Sequence, residues 1–262
     1  MHIMIVILII LLLIIIIFSA KYPWWLPTKK GLVVLMYHHI YKYDTTCNLE
    51  KELYVEPETF SKQMDFLLKH KYTPITLEEL SKSYKDASFK LPKKSILITF
   101  DDGWLDNYTN AFRILKEKNI KANIFVTCDF IDHKNCMTWN RLLEMKNSGL
   151  ISFGSHTMSH PTDIQTLNDD KILQELKESK QKLEEKLNIK IDSFAYPSGK
   201  GASNKKVRQM VFDSGYLFDF STKRGITKFK WDKEIAIKRL YVKQSYTLFD
   251  FYLLITKGKN SF

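Results

Sequence analysis

The sequence predicts an α/β domain built on a mainly parallel sheet and preceded by one membrane-spanning helix. Three observations carry this expectation. Residues 3–18, IMIVILIILLLIIIIF, contain no polar side chain. From Gly31 onward, short apolar runs alternate with stretches whose apolar residues recur at helical spacing, the pattern of strands and helices wound around a parallel sheet. Two segments rich in reactive side chains, TFDDG (99–103) and GSHTMSH (154–160), each follow an apolar run. In parallel α/β folds, sites gather at the C-terminal ends of strands.

Each element can be justified in turn. With Ser19 and Ala20, the N-terminal run approaches the length needed to cross a bilayer. Tyr22, Trp24 and Trp25 follow like an interfacial aromatic belt. Residues 1–20 are read as a signal anchor. A cleaved signal peptide is the competing reading, but cleavage after Ala20 would put Phe18 where a small residue is wanted. Residues 21–30, with Pro23 and Pro27, form a linker, and the domain covers residues 31–262.

Leu32–Tyr37 is the first strand. Phe60, Met64, Leu67 and Leu68 share one helical face, with Pro57 near its start. Thr76 and Glu79 fit a capping box for the next helix. Ile96–Phe100 is a strand, and Ala111, Ile114 and Leu115 mark the helix after it. Asn123–Thr127 and Ile151–Ser155 are strands on either side of a helix over 139–147. Ile172, Leu173, Leu176, Leu183 and Leu187 define a helix over 169–187. Ser193–Tyr196 is a strand. Residues 203–214 are a helix stopped by Gly215. Ile237–Val242 is the last strand, and a helix over Leu248–Thr256 closes the series.

The length of 262 residues suits one sizeable domain plus an appendage. The hydrophobic fraction of 45% is ordinary, whereas the net charge of +11 suits contact with anionic partners. The lysines are scattered as on a solvated surface, and no nucleic-acid motif accompanies them, so nucleic acid is not an expected partner. Three cysteines (Cys47, Cys128 and Cys136) make no disulfide framework, and no CxxC pair suggests a thiolate-bound metal. A bridge between Cys128 and Cys136 stays open.

His156 and His160 lie four residues apart, which in a helical turn places both rings on one side. Two imidazoles plus one carboxylate make a three-ligand set for a divalent metal with positions left for water. Zinc suits such a set, and cobalt, nickel, iron or manganese could also occupy it. An H-x-x-x-H spacing alone is a weak signal. It gains weight from the strand-terminal Asp101-Asp102-Gly103.

Together the two motifs resemble the polysaccharide deacetylase family, the carbohydrate esterases that share the NodB homology domain. TFDDG matches that family's first motif, and SHTMSH matches its second, H-S/T-x-x-H. The resemblance spans Gly31 to about Val242 and implies a distorted (β/α) barrel. It also implies that Asp102, His156 and His160 hold the metal and that Asp101 is the general base. Neighbouring strand residues normally face opposite ways, so a turn eased by Gly103 is expected to bring both carboxylates to one site. The metal would then acidify water and polarise the amide carbonyl.

The family's third motif, R-P-P-Y-G, aligns with AYPSG, Ala195–Gly199, where Ala195 replaces the arginine that orients the base. Arg239, in IKRLYV, is the candidate substitute, with a surface arginine as the rival reading. The backbone N–H of Ser198 aligns with the family's oxyanion donor. No histidine follows His160 to act as the late acid, but LMYHHI ends the first apolar run. That feature, FAYPSG and the missing arginine resemble the poly-N-acetylglucosamine deacetylase branch, which implies His38 as the acid, with a packed core histidine as the rival reading; strand alternation points His39 to the other face. Trp104, Trp139, Tyr196 and Trp231 are candidates either for sugar stacking or for the core.

The resemblance implies a metal-dependent N-deacetylase acting on an N-acetylated polysaccharide, with poly-β-1,6-N-acetylglucosamine favoured over peptidoglycan or chitin oligomers. It also implies a single-pass membrane protein with an extracytoplasmic domain and a biofilm or envelope role. Lys21, Lys29 and Lys30 follow the anchor, and no Lys or Arg precedes it, which taken alone would keep the domain in the cytoplasm. A non-catalytic carbohydrate-binding relative is disfavoured by the intact Asp101, Asp102, His156 and His160. Non-haem iron oxygenase chemistry would use the same three ligands but not the adjacent Asp101.

Overall fold

The computed structural model describes residues 2–42, 51–228 and 235–261, so Cys47 and Trp231 lie outside the described residues. The elements run α1 (His2–Lys21), β1 (Val33–Tyr37), β2 (His39–Ile40), β3 (Tyr54–Val55), α2 (Pro57–Lys69), β4 (Thr73–Pro74) and α3 (Leu77–Lys85). Next come β5 (Ser95–Asp102), a π-helical turn (Asn107–Phe112) leading into α4 (Arg113–Glu117), β6 (Ala122–Val126), α5 (Trp139–Asn147) and β7 (Ile151–Ser155). The remainder is α6 (Asp169–Leu187), β8 (Ser193–Ala195), α7 (Lys205–Asp213), β9 (Phe218–Arg224), β10 (Ile237–Tyr241) and α8 (Leu248–Lys257).

The sheet closes on itself. Strand β1 pairs in parallel with both β10 and β5, so the order β1-β10-β9-β8-β7-β6-β5 returns to its start as a seven-stranded parallel barrel. Strand β4 adds beside the beginning of β5, and β2 pairs only with β3. Every residue of β1, β5, β6 and β7 is buried, as expected where helices cover the outside of a barrel and side chains fill the inside.

Two apolar layers follow from strand alternation. Val33, Leu35 and Tyr37 of β1, with Ile96, Ile98 and Phe100 of β5, join the outer layer beneath the helices. Leu32, Val34, Leu97, Phe125, Phe220 and Ile237 fill the interior together with Leu77 and Leu80 of α3, which plugs the end where the strands begin. Gly154 belongs to the same packing, because a Cβ there would fall 2.5 Å from the Phe125 ring. Alternation therefore sends Thr99 and Asp101 inward after Leu97. It does the same for His38 after Val34 and Met36.

The expected capping box of α3 is present between Thr76 and Glu79, and Gly215, at φ +85°, follows the end of α7. Strand β9 is absent from the sequence expectation. Its segment, FDFSTKR, reads as polar because Asp219 and Ser221 alternate with Phe218 and Phe220. The structure satisfies those polar groups inside the fold: Arg208 donates to both Asp219 oxygens at 2.7 and 3.0 Å, and the Tyr196 hydroxyl donates at 3.0 Å. This also corrects the sugar-stacking reading of Tyr196, whose ring is fully buried. Cys128 and Cys136 are both buried free thiols, so no bridge joins them.

Helix α1 is long and apolar enough to cross a bilayer, and its side chains face outward rather than into the domain.

Candidate active site and metal centre

Strand β5 delivers Asp101 into the barrel, where Arg239 of β10 meets it. The pair is bidentate, with Arg239 Nη1 donating to Oδ1 at 2.6 Å and Nη2 donating to Oδ2 at 2.8 Å. Arg239 Nε also donates to the Ser221 carbonyl at 3.1 Å, and the guanidinium lies over the Phe125 ring. Arg239 is fully buried and Asp101 nearly so. The surface-arginine reading therefore fails, and a cation from a distant strand pairs with Asp101. Burial pushes the Asp101 carboxyl up, but Arg239, His156 and His38 outweigh it and hold the group well below the usual carboxylate range.

Asp102 should face outward by alternation, yet its own backbone turns. Its φ is +78°, and Gly103 follows at +103°. The turn thus begins at Asp102, one residue earlier than expected, and a non-glycine residue carries the strain. Trp104 supports the result by donating its indole N–H to Asp102 Oδ2 at 2.9 Å. The other oxygen, Oδ1, is buried and has no hydrogen-bond partner.

The two histidine rings converge on that oxygen. His156 Nε2 lies 3.6 Å and His160 Nε2 lies 3.4 Å from Asp102 Oδ1. The segment joining them is not helical, contrary to the expectation from spacing. Thr157 (φ +71°) and His160 (φ +57°) are both left-handed, and the loop returns on itself so that the rings meet edge to face. Glu175 of α6 holds this loop, accepting from the N–H groups of Met158 and Ser159 at 2.8 and 2.9 Å and from the Ser159 hydroxyl. No sequence signal marks Glu175, since it sits among solvated charges of an amphipathic helix. His156 Nδ1 donates to the Ala195 carbonyl at 2.8 Å, which leaves Nε2 with its lone pair free toward Asp102.

Asp102, His156 and His160 offer three donor atoms within 4.8 Å of one another. An unpartnered buried carboxylate oxygen facing two imidazole nitrogens fits a divalent cation, because such an oxygen is costly to leave without a partner.

The adjacent histidines separate as alternation requires. His38 is partly exposed at the mouth of the barrel, its Nδ1 lacks a partner, and its ring meets Tyr241 edge-on. Burial lowers its pKa against the opposing pull of Asp101 and Asp102. His39 turns outward, where its Nδ1 meets Asp106 at 2.7 Å and its ring lies against Tyr54 and Trp104. Ser198 sits at φ +52° in the turn Pro197–Gly199, exposed after β8. Trp139 packs against the outer apolar layer, whereas Trp104 lies beside the metal-ligand set.

Comparison with known proteins agrees with this fold. The family model for polysaccharide deacetylases matches residues 89–218. A Bacillus subtilis protein assigned to the polysaccharide deacetylases, YxkH, is 30% identical over 203 residues, covering 77% of this chain and 68% of the relative. The poly-β-1,6-N-acetyl-D-glucosamine N-deacetylase of Staphylococcus epidermidis is 34% identical over 143 residues, and the match spans about half of each protein, 49%. Among solved structures, BC0361, a polysaccharide deacetylase from Bacillus cereus, superposes with a TM-score of 0.76 at 31% identity over 87% of this chain and 69% of that one. The Streptococcus pyogenes deacetylase PplD, solved with acetate, gives 0.74 at 28% identity over 84% and 95%. With a barrel of this closure and these similarities, the chain belongs to the polysaccharide deacetylase family and is an enzyme of that family.

Proposed function

We propose that the chain hydrolyses the N-acetyl group of N-acetylglucosamine units in a polysaccharide, with poly-β-1,6-N-acetylglucosamine as the favoured substrate and a divalent metal, zinc by preference, as cofactor. One observation carries this reading: both histidine Nε2 atoms and the unpartnered Asp102 Oδ1 converge beside a buried Asp101–Arg239 pair. A metal held by Asp102, His156 and His160 supplies a Lewis acid for the amide carbonyl and makes nearby water more acidic. Asp101, kept ionised and aimed by Arg239, takes the proton from the attacking water. The Ser198 N–H donates to the carbonyl oxygen as charge develops there. His38 gives a proton to the departing amine as the C–N bond breaks, leaving acetate and a free glucosamine unit.

The substrate preference rests on the similarity to the staphylococcal poly-β-1,6-N-acetyl-D-glucosamine N-deacetylase and on the site. His38, the acid in this reading, follows β1, and Arg239 pairs with Asp101 where the motif arginine is missing, both of which support it. Deacetylation exposes amines and makes the polymer cationic, which suits a biofilm or envelope role. Helix α1 serves as a single-pass membrane anchor with the barrel on the extracytoplasmic side, where such polymers are found. Protease digestion of intact cells should remove the barrel. Full protection, with Cys47 unreachable by impermeant thiol reagents, would place it in the cytoplasm.

Metal analysis combined with acetate release tests the chemistry. Acetate is expected from β-1,6-linked oligomers, rising with oligomer length, and more slowly from β-1,4-linked chitin oligomers. Faster release from peptidoglycan fragments would overturn the substrate and leave the deacetylase standing.

A further inference from the structure

The last helix carries an apolar corner that the catalytic site does not use. Leu248 and Phe249, in the first turn of α8, are 41% and 39% exposed. Phe249 is also where the N-terminal helix meets the barrel. Phe18 and Tyr22 pack on its ring at centroid distances of 5.7 and 5.6 Å. Ile14, Ile15, Phe18, Trp24 and Phe249 together line an apolar cleft of about 340 Å³. Trp24 and Trp25 fold back onto the same helix, their indole N–H groups donating to the Ser19 hydroxyl and carbonyl at 3.2 and 3.1 Å. At 1.5 Å per residue, Ile15 lies about 6 Å farther along α1 than Ser19, so Phe249 meets α1 at the level of the two tryptophans and the cleft it lines extends from there toward the apolar side.

The rest of the connection is tied down. The Lys29 N–H donates to the Thr256 carbonyl at 2.8 Å, and Lys257 Nζ donates to the Leu26 carbonyl. Residues 22–29 therefore run the length of α8, from its first turn to its last. A capping box between Thr247 and Asp250 satisfies donors at the start of α8, so the corner can enter an apolar phase without bringing those N–H groups unpaired. Lys21 is exposed next to Tyr22 at this corner, as suits anionic headgroups.

The chain path says which end of the barrel this is. Helix α8 follows β10, whose Arg239 lies in the site, and runs back toward the start of β1. Its first turn is thus at the end where the strands finish and the site opens, opposite the α3 plug. We propose that the first turn of α8, with Trp24 and Trp25, docks on the phospholipid surface as a second membrane contact and holds the catalytic end of the barrel next to the bilayer. The enzyme then meets its glycan at the membrane surface rather than at a distance set by a loose tether.

The inference rests on the reading of α1 as a membrane anchor, and the test separates the two. The photoreactive residue p-benzoylphenylalanine replaces Ile10, Phe249 or Tyr84, one at a time, in the full chain. Ile10 lies on the anchor, and Tyr84 is an exposed residue of α3 at the plugged end. Each variant is placed in phosphatidylcholine–phosphatidylglycerol vesicles containing radiolabelled phosphatidylcholine and is then irradiated. Lipid label is expected on the Ile10 and Phe249 variants, with background only on the Tyr84 variant. Label at Ile10 with background at Phe249 overturns the docking and leaves the anchor intact. Background at Ile10 overturns the anchor and the docking with it.

Discussion

Replacing Arg239 with methionine should be among the most damaging single changes in the barrel, and the damage can be worked from the pair it breaks. Arg239 and Asp101 are both buried and joined by two charge-assisted hydrogen bonds of 2.6 and 2.8 Å. Arg239→Met leaves the carboxylate without its cation in the interior, a loss of about 3–5 kcal/mol. For a domain of this size, at about 2–4 °C per kcal/mol, the melting temperature should fall by roughly 6–20 °C.

The pH dependence of that loss carries a sign. In the wild type, Asp101 is held below the ordinary carboxylate range. Its ionised form therefore contributes stability that is present above the unfolded value of about 3.9 and is lost only as pH falls through the lower folded value. Without Arg239, burial becomes the chief influence and pushes the group up. Stability of the variant then declines as pH rises above about 4, and its deficit should narrow on acidification from pH 7 toward pH 4. The assay is thermal melting against pH in the presence of a chelator, so that metal binding does not contribute. The double variant Asp101→Asn/Arg239→Met removes both charges and should recover most of the lost stability while staying inactive. A single variant within about 1 kcal/mol of wild type, or a double variant no more stable than the single, would refute the account of this pair.

Three further outcomes follow from the site. Asp101→Asn should keep its metal through desalting, read by elemental analysis, but lose nearly all turnover, whereas Asp102→Ala and His156→Ala should lose the metal as well. Near-wild-type acetate release by Asp101→Asn would remove Asp101 from the base role. Trp104→Phe keeps the ring against His39 but deletes the N–H that aims Asp102. Metal affinity, measured by competition with a chromophoric chelator, should fall about 10–100-fold, and an unchanged affinity would limit Trp104 to packing. His38→Ala should lower kcat by roughly 10²–10⁴, the usual worth of a positioned acid. His39→Ala should chiefly lower the melting temperature, because Asp106 Oδ2 then loses its contact with the His39 ring, and reversed effects would mean that the facing of the two histidines is misassigned.

Much of this architecture was legible in the chain. Apolar runs buried on both faces give parallel strands their unbroken patterning, so β1, β5, β6, β7 and β10 could be read within a residue or two, and Ile151–Ser155 without error. Strand β9 could not, because Asp219 and Ser221 give it a polar alternation that only the Arg208 pairing across α7 explains. The candidate ligand trio was visible because TFDDG and SHTMSH match the family's first two motifs. Its local geometry was not: the H-x-x-x-H segment is a left-handed loop held by Glu175 rather than a helical turn, and Asp102 itself makes the turn assigned to Gly103.

By itself, then, the sequence determined the strand pattern and the faces that Asp101, His38 and His39 take, which follow from a period of two, while the roles assigned to the candidate site residues came from their match to family motifs. Only the tertiary structure decided that Arg239, 138 residues from Asp101 along the chain, is the base's partner. It also decided that Trp104 and Glu175 brace Asp102 and the His156–His160 loop, and that α1 joins the barrel beside α8. Barrel closure brings β10 against β1 and sends both Asp101 and Arg239 inward. A contact made by closing a ring of strands leaves no local pattern in the residues that make it.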